Sequence, residues 1–259
     1  MKLLSSLAPI VVLAMCAAST QAAPVIVNHA NVAAIDAVPD ATLQALARER
    51  VFFAHASVGS NIVDGMRDLH AQNPARYPLV IAGAGDRPGA TKNGTLYEIG
   101  RGNPGASAKI SGFSQYVNNG WHSPAVNVVI NKFCYIDPDA SFTEYTSSMA
   151  AVERGNPGTT VVYFTIPLTT GRSSDNAKRE AFNNKLREWA KANDKVLFDL
   201  ADIEAWTTSG IQTAFSLSGQ QVQGMAEEYS ADGGHLNGAG RTRAAKGIYS
   251  LLALIASRR

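Results

Sequence analysis

Ser57, Asp232 and His235 are the residues of this 259-residue chain whose types and settings could do chemistry together. Ser57 follows the apolar run Val51 to Ala54 in VFFAHASVGSNI (51–62), which reads as a short buried strand broken by a small, Gly-containing segment. A hydroxyl at that point stands at the carboxyl edge of a sheet, where open α/β sheets keep their sites. Asp232 and His235 lie in SADGGHLNGAG (230–240), a Gly-rich loop ahead of a helix. Three positions apart, they allow a tight turn to return the carboxylate to one imidazole nitrogen while the other faces the cleft. That is the orienter-and-base geometry which activates a serine hydroxyl. An incidental Asp and His in a surface loop would have the same spacing. Of the remaining histidines, His29 is near the start of the mature chain, and His70 and His122 sit among loop or helix-end polar residues.

For these residues to meet, both ends of the chain must reach one sheet edge. PDATLQALARER (39–50) carries Leu43, Leu46 and Ala47 at helical spacing with Asp40 as a cap, predicting a helix before the first strand. A helix from near Asn61 follows that strand, with Ile62, Met66 and Leu69 along one face. LVIAG (79–83) reads as an inner strand. Residues 84–125 are Gly-, Asn- and Pro-rich with weak periodicity, and loops of that length carry binding functions or are disordered. VNVVINKFCYID (126–137) is the most strand-like run, followed by a helix over 141–154 and a strand at TVVYFTIPL (160–168). REAFNNKLREWAKAND (179–194) is amphipathic, with Phe182, Leu186 and Trp189 on one face. KVLFDLADI (195–203) predicts a further strand, and the closing helix spans about Ala239 to Ser257. Five apolar runs separated by helices predict a single domain over 48–259, a three-layer α/β/α sandwich around a mostly parallel sheet of about five strands. The competing architecture is a flavodoxin-like sheet used for binding alone, with Asp232 and His235 far from Ser57.

Hydrophobic residues make up 46% and charged residues 17%, enough for a sizeable core and against disorder. The formal charge of +2 gives no basic footprint for nucleic acid. At the N-terminus, Lys2 precedes LLSSLAPIVVLAMCAAST and then small residues up to Ala23. This basic–apolar–small order predicts a secretory signal over 1–22, cut after Ala22 or at Ala23, with 23–47 as a lead-in. The apolar run falls short of the roughly 20 residues of a membrane span. LAMC (13–16) also looks like a lipoprotein signal, with Cys16 as the lipidated residue, although Met15 stands where Ala or Gly is usual. The expected location is the periplasm or the exterior. Without Cys16 the only cysteine is Cys134, so no intrachain disulfide can form even where the compartment permits one.

HASVGSNI and DGGHLN resemble the first and last conserved blocks of the SGNH/GDSL hydrolases, closest to a divergent branch whose first block reads His-x-Ser-Val-Gly. The order of elements agrees over roughly residues 48–256. The resemblance implies Ser57 as nucleophile, with Asp232 and His235 completing the triad, and an SGNH-like fold. It also implies an oxyanion hole with a glycine N–H and an asparagine amide from the middle blocks. GRGNPG would carry the glycine over to Gly102, with Asn103 beside it. The asparagine block departs from the Gly-x-Asn-Asp pattern, so Asn131 at the end of the central run or Asn103 could supply the amide. Gly-Asp-Ser is also absent, since Ala56 precedes Ser57 and His55 stands two before it.

His55 could bind a metal, orient Ser57 or satisfy a backbone carbonyl; no second His and paired carboxylates lie at ligand spacing. Lys132, Cys134 and Asp137 flank the expected cleft, where Cys134 suits a buried small hydrophobe or, less simply, a nucleophile paired with His235. Trp121, Tyr97 and Tyr116 fall in the long loops and would suit a sugar ring or core packing. The sequence therefore predicts a serine ester hydrolase acting on short acyl esters, such as O-acetyl groups of a carbohydrate, with no metal or organic cofactor. The expected partner is a small-molecule or carbohydrate ester, with no nucleic acid. The alternative is a non-catalytic carbohydrate-binding or scaffold protein that keeps the fold.

Overall fold

The computed structural model describes residues 23–171 and 173–259; the expected signal segment 1–22 and Cys16 lie outside the described residues. The chain runs β1 (Val25–Val27), α1 (His29–Ala34), α2 (Asp40–Gln44), β2 (Arg50–His55), α3 (Val58–Gln72), β3 (Val80–Gly83) and β4 (Thr95–Gly100). It continues through α4 (Ala106–Asn118), β5 (Val128–Asn131), α5 (Phe142–Gly155), β6 (Thr160–Phe164), α6 (Ser174–Ala192) and β7 (Val196–Phe198). The last elements are α7 (Leu200–Ala205), an antiparallel hairpin of β8 (Ala214–Leu217) and β9 (Gln220–Gln223), and α8 (Gly238–Ala256).

β1 to β7 form one parallel sheet in the order β1-β7-β6-β5-β2-β4-β3. β2 is paired on both sides, Phe53 with Glu98 of β4 and with Ile130 of β5. After β2 the chain goes to the edge as β3 and returns as β4 to lie beside β2, then crosses to β5 and builds outward on the other side through β6 and β7. A reversal of this kind opens a crevice at the carboxyl end of the strand where it occurs. The carboxyl end of β2 is His55, two residues from Ser57.

Both faces of the sheet are covered, which is why β2 reads as a continuous apolar run rather than an alternating one. Val51 and Phe53 point to a core with Ile62 and Met66 of α3 and Ile248 and Leu252 of α8. Phe52 and Ala54 point to the opposite core, with Phe113 of α4, Tyr145 and Met149 of α5, and Leu186 of α6. α3 and α8 lie so close that a Cβ added at Gly65 would sit 2.3 Å from the Arg241 carbonyl oxygen. This contact sets the middle of α3 against the start of α8, and one turn earlier Asn61 of α3 reaches the loop that carries His235. Among the described residues no helix is long and apolar enough to cross a membrane.

The three-layer α/β/α sandwich is as expected, but the sheet has seven strands rather than five. One addition is β1, from the lead-in at 23–47, whose three residues are too few to show a period. The other is β4, TLYEIG, inside the stretch read as irregular, where Glu98 interrupts the apolar pattern. β3 is an edge strand and not an inner one. The helix expected over 39–50 is only α2 plus a single 3-10 turn at Ala45–Arg48, with Pro39 as the cap position. β5 and β7 are shorter than their apolar runs, and α3 begins at Val58 rather than near Asn61.

Candidate active site

Ser57 joins β2 directly to α3 with φ 48° and ψ −107°. A positive φ in a non-glycine residue is strained, and such strain persists only where the surroundings hold it. Here the turn thrusts the side chain out of the strand line and toward the loop before α8. Ser57 Oγ donates to His235 Nε2 at 2.6 Å, and His235 Nδ1–H donates to Asp232 Oδ2 at 2.7 Å. The three residues singled out at the two ends of the sequence are therefore one hydrogen-bonded chain.

The loop that carries His235 is tied down on several sides. Asn61 of α3 accepts the Leu236 N–H at 3.2 Å, and the Thr170 N–H reaches the Gly233 carbonyl at 2.8 Å. Ser230 Oγ accepts the Gly233 N–H at 2.7 Å. Asp232 Oδ1 takes the backbone N–H groups of His235 at 2.8 Å and Gly234 at 3.0 Å. The His235 N–H first, then the imidazole and the Gly234 N–H, hold the Asp232 carboxyl down to about 2. The Tyr135 ring packs edge-on against His235, centroids 5.4 Å apart, and leaves no room for a Cβ at Gly234.

Gly102 lies just past β4, next to the end of β2, because the Arg101 N–H donates to the His55 carbonyl at 2.9 Å. Its φ is +61°, its Cβ position is open, and it is exposed. Among the described residues neither the Ser57 nor the Gly102 N–H has a protein acceptor. The two asparagines differ. Asn131 is fully buried, accepts from Arg101 at 2.8 Å and donates to Met149 Sδ at 3.5 Å. Asn103 is exposed, and Lys109 Nζ holds its Oδ1 at 3.1 Å, leaving its Nδ2 without a protein acceptor among the described residues.

The His55 ring meets a side chain of the neighbouring strand and not a backbone carbonyl. It is buried, and its Nε2–H donates to Glu98 of β4 at 2.9 Å. Burial pushes His55 down, and the hydrogen bond from His55 holds Glu98 below the usual carboxylate range, so a neutral imidazole meets a carboxylate. A Cβ at Gly59 would fall 2.3 Å from His55 Cβ, so the side chain lies directly beneath the first turn of α3. Cys134 is a buried free thiol. Trp121 is only 2% exposed and stacks on Phe52 at 4.7 Å, so it belongs to the core and not to a sugar platform.

Sequence reasoning missed a set of buried cations under the cleft. Arg101 donates to the carbonyls of Ala54, Lys109 and Lys132 as well as to Asn131, and burial pushes it down to about 10. Lys109 of α4 pairs with Asp137 at 2.6 Å with both side chains buried, and Asp137 also accepts the Cys134 N–H at 2.8 Å. In the sequence Arg101 and Lys109 stand in GRGNPGASAK, inside the stretch read as irregular, while Lys132 stands in NKFCYID, expected beside the cleft but with no sign of its burial. Asp137→Ala leaves Lys109 buried and unpaired. It is expected to lower stability by about 3–5 kcal/mol, read from denaturant unfolding midpoints.

No protein-family model and no curated protein sequence matches the chain. Among solved structures it is similar to a carbohydrate esterase family 3 protein from Talaromyces cellulolyticus, with a TM-score of 0.53 and 16% identity over 82% of this chain and 99% of that one. It is also similar to an acetyl esterase, a serine-to-alanine mutant solved with an acetate ion, with a TM-score of 0.51 and 16% identity over 81% of this chain and 99% of that one. At that identity the likeness is one of fold, and the fold is SGNH-hydrolase-like.

Proposed function

We propose that this chain is a serine ester hydrolase that removes short acyl groups, foremost O-acetyl groups on a carbohydrate. The observation that carries the reading is the Asp232–His235–Ser57 chain, closed at 2.7 and 2.6 Å between residues 178 positions apart. Ser57 Oγ attacks the ester carbonyl while His235 takes its proton, and His235 then returns that proton to the leaving alcohol. The acyl-enzyme is released by a water that His235 activates in the same way. Asp232 fixes the tautomer and stabilises the imidazolium as it forms.

The N–H groups of Ser57 and Gly102 and the Asn103 amide are the donors we assign to the oxyanion. Asn131 is already committed on both sides of its amide. Removing one such donor costs about 10²–10³ in rate. Asn103→Ala is therefore expected to lower kcat by that factor while Asn131→Ala acts mainly on thermal stability, both read from steady-state kinetics and melting curves.

Short acyl groups are favoured by the openness of the site, with the His235 side chain 38% exposed. The two structural neighbours named above, an acetyl esterase and a carbohydrate esterase, favour the same class. A panel of acetylated sugars, aryl acetates and longer acyl esters tests the reading. Turnover of acetyl esters is expected. Turnover confined to long acyl chains would overturn the substrate class, and no turnover by the folded protein would point to a binding role. We further propose that the mature chain is exported and starts near Ala23. Intact-mass measurement of the processed protein checks this, and an acylated Cys16 at its start would contradict it.

A further inference from the structure

Lys132 is fully buried at the end of β5 and makes no ion pair among the described residues. Its ammonium spends two of its three protons on main-chain carbonyls, Phe133 at 2.7 Å and Ala56 at 3.1 Å. Buried Glu204 and Asp137 act on the ammonium through space, but no carboxylate pairs with it directly, so its protons are left for main-chain carbonyls. The Ala56 carbonyl is not an arbitrary acceptor. It belongs to the peptide unit whose N–H is that of Ser57, and that unit is trans, since the cis bond among the described residues is Ser123–Pro124. In a trans peptide the C=O and N–H point in opposite directions. An ammonium holding the carbonyl toward the interior therefore turns the Ser57 N–H away from the interior, where it has no protein acceptor among the described residues. The Gly59 N–H holds the same carbonyl at 3.1 Å, so the plane is pinned from two sides. A charged donor on the carbonyl also polarises the amide and strengthens its N–H as a donor.

We propose that Lys132 is a positioning residue which, through the Ala56 carbonyl, aims and polarises the Ser57 N–H of the oxyanion hole. The proposal rests on the ester-hydrolase reading. Lys132 touches no reacting atom in this role; it acts on the transition state through one peptide bond. Its loss should weaken the stabilisation of developing negative charge and leave ground-state binding alone.

The test compares wild type, Lys132→Met, which keeps length without charge, and Lys132→Gln, which keeps a neutral donor. Steady-state turnover of an aryl acetate and the rate of inactivation by a phosphonate reagent are measured on each, with circular dichroism to establish folding. For Lys132→Met a fall in kcat of about 10–100-fold is expected, less than the roughly 10²–10³ of a donor removed outright because the Ser57 N–H itself remains. KM should stay within about twofold, and phosphonylation should slow in the same proportion as kcat. Lys132→Gln should fall between the two. A folded Lys132→Met with wild-type kcat, or one that loses affinity and keeps kcat, overturns the inference while leaving the hydrolase reading intact. A wild type inert toward every ester overturns the reading and the inference together.

Should neither variant fold, wild type carries the test through its alkaline limb. Burial pushes Lys132 well below the usual lysine range, with Cys134, Glu204, Lys109 and Asp137 facing it and His55 across β2. The donor therefore loses its charge at a lower pH than a free lysine, so the acylation rate should decline from pH 8 to 10 in wild type and equally in Cys134→Ala. A rate that stays flat to pH 10, or a decline that vanishes with Cys134, contradicts the proposal.

Discussion

Ser57→Ala and His235→Ala are each expected to lower kcat for an acetyl ester by about 10⁴–10⁶, and the double variant is expected to be no worse than either alone. The reason is geometric. The 2.6 Å bond between Ser57 Oγ and His235 Nε2 makes nucleophile and base one proton-transfer unit, so removing either member leaves nothing for the other to do. KM should change little, because neither side chain is needed to hold the ground-state ester. The fold should survive both changes, since each side chain is at least partly exposed and packs no core. Steady-state kinetics on the three variants, with melting curves alongside, reads all of this out.

Asp232→Asn is expected to cost about 10³–10⁴ in kcat, and the loop explains why the change is not conservative. Oδ1 is fixed by the N–H groups of Gly234 and His235, so an asparagine keeps its oxygen there and turns its NH2 toward the imidazole. His235 Nδ1 must then accept, which leaves Nε2 carrying the proton and facing Ser57 as a donor. A base in that tautomer cannot take the serine proton. In wild type the lowered Asp232 carboxyl keeps its charge until the pH falls through about 2, whereas an ordinary Asp is protonated near 4. The loop's ionic support is thus complete above about pH 4 and lost only as the pH drops through the folded value. Loss of the Asp232 carboxylate should accordingly play no part in the wild-type rate above about pH 4. A His235 loop that stays ordered by NMR down to about pH 4 is the expected result.

Much of the site was legible because its chemistry is local in the sequence even though its parts are distant in space. VFFAHASVGSNI announces a buried strand ending in a small-residue turn, and DGGHLN places a carboxylate three residues before an imidazole ahead of a helix. The three-layer arrangement follows from buried runs alternating with helices. What stayed hidden depends on pairing partners that a linear pattern does not carry. β4 contains Glu98 because His55 of the neighbouring strand donates to it, and a charged residue in mid-strand looks like a loop until that partner is known. β1 is three residues long and exists because β7 offers an edge. The buried cations are the sharper lesson. Nothing in the linear pattern shows that Arg101, Lys109 and Lys132 turn inward, because each donates to carbonyls or carboxylates gathered from chain segments many residues apart. The choice between Asn103 and Asn131 also depended on such partners, Arg101 and Met149 for one and Lys109 for the other.

The most direct test of the serine-hydrolase account is to label the wild-type protein with a fluorophosphonate and map the adduct by mass spectrometry. The account predicts a single covalent adduct on Ser57, abolished in His235→Ala and slowed in competition with an acetyl ester. An adduct on any other residue, or full esterase activity in Ser57→Ala, would contradict it.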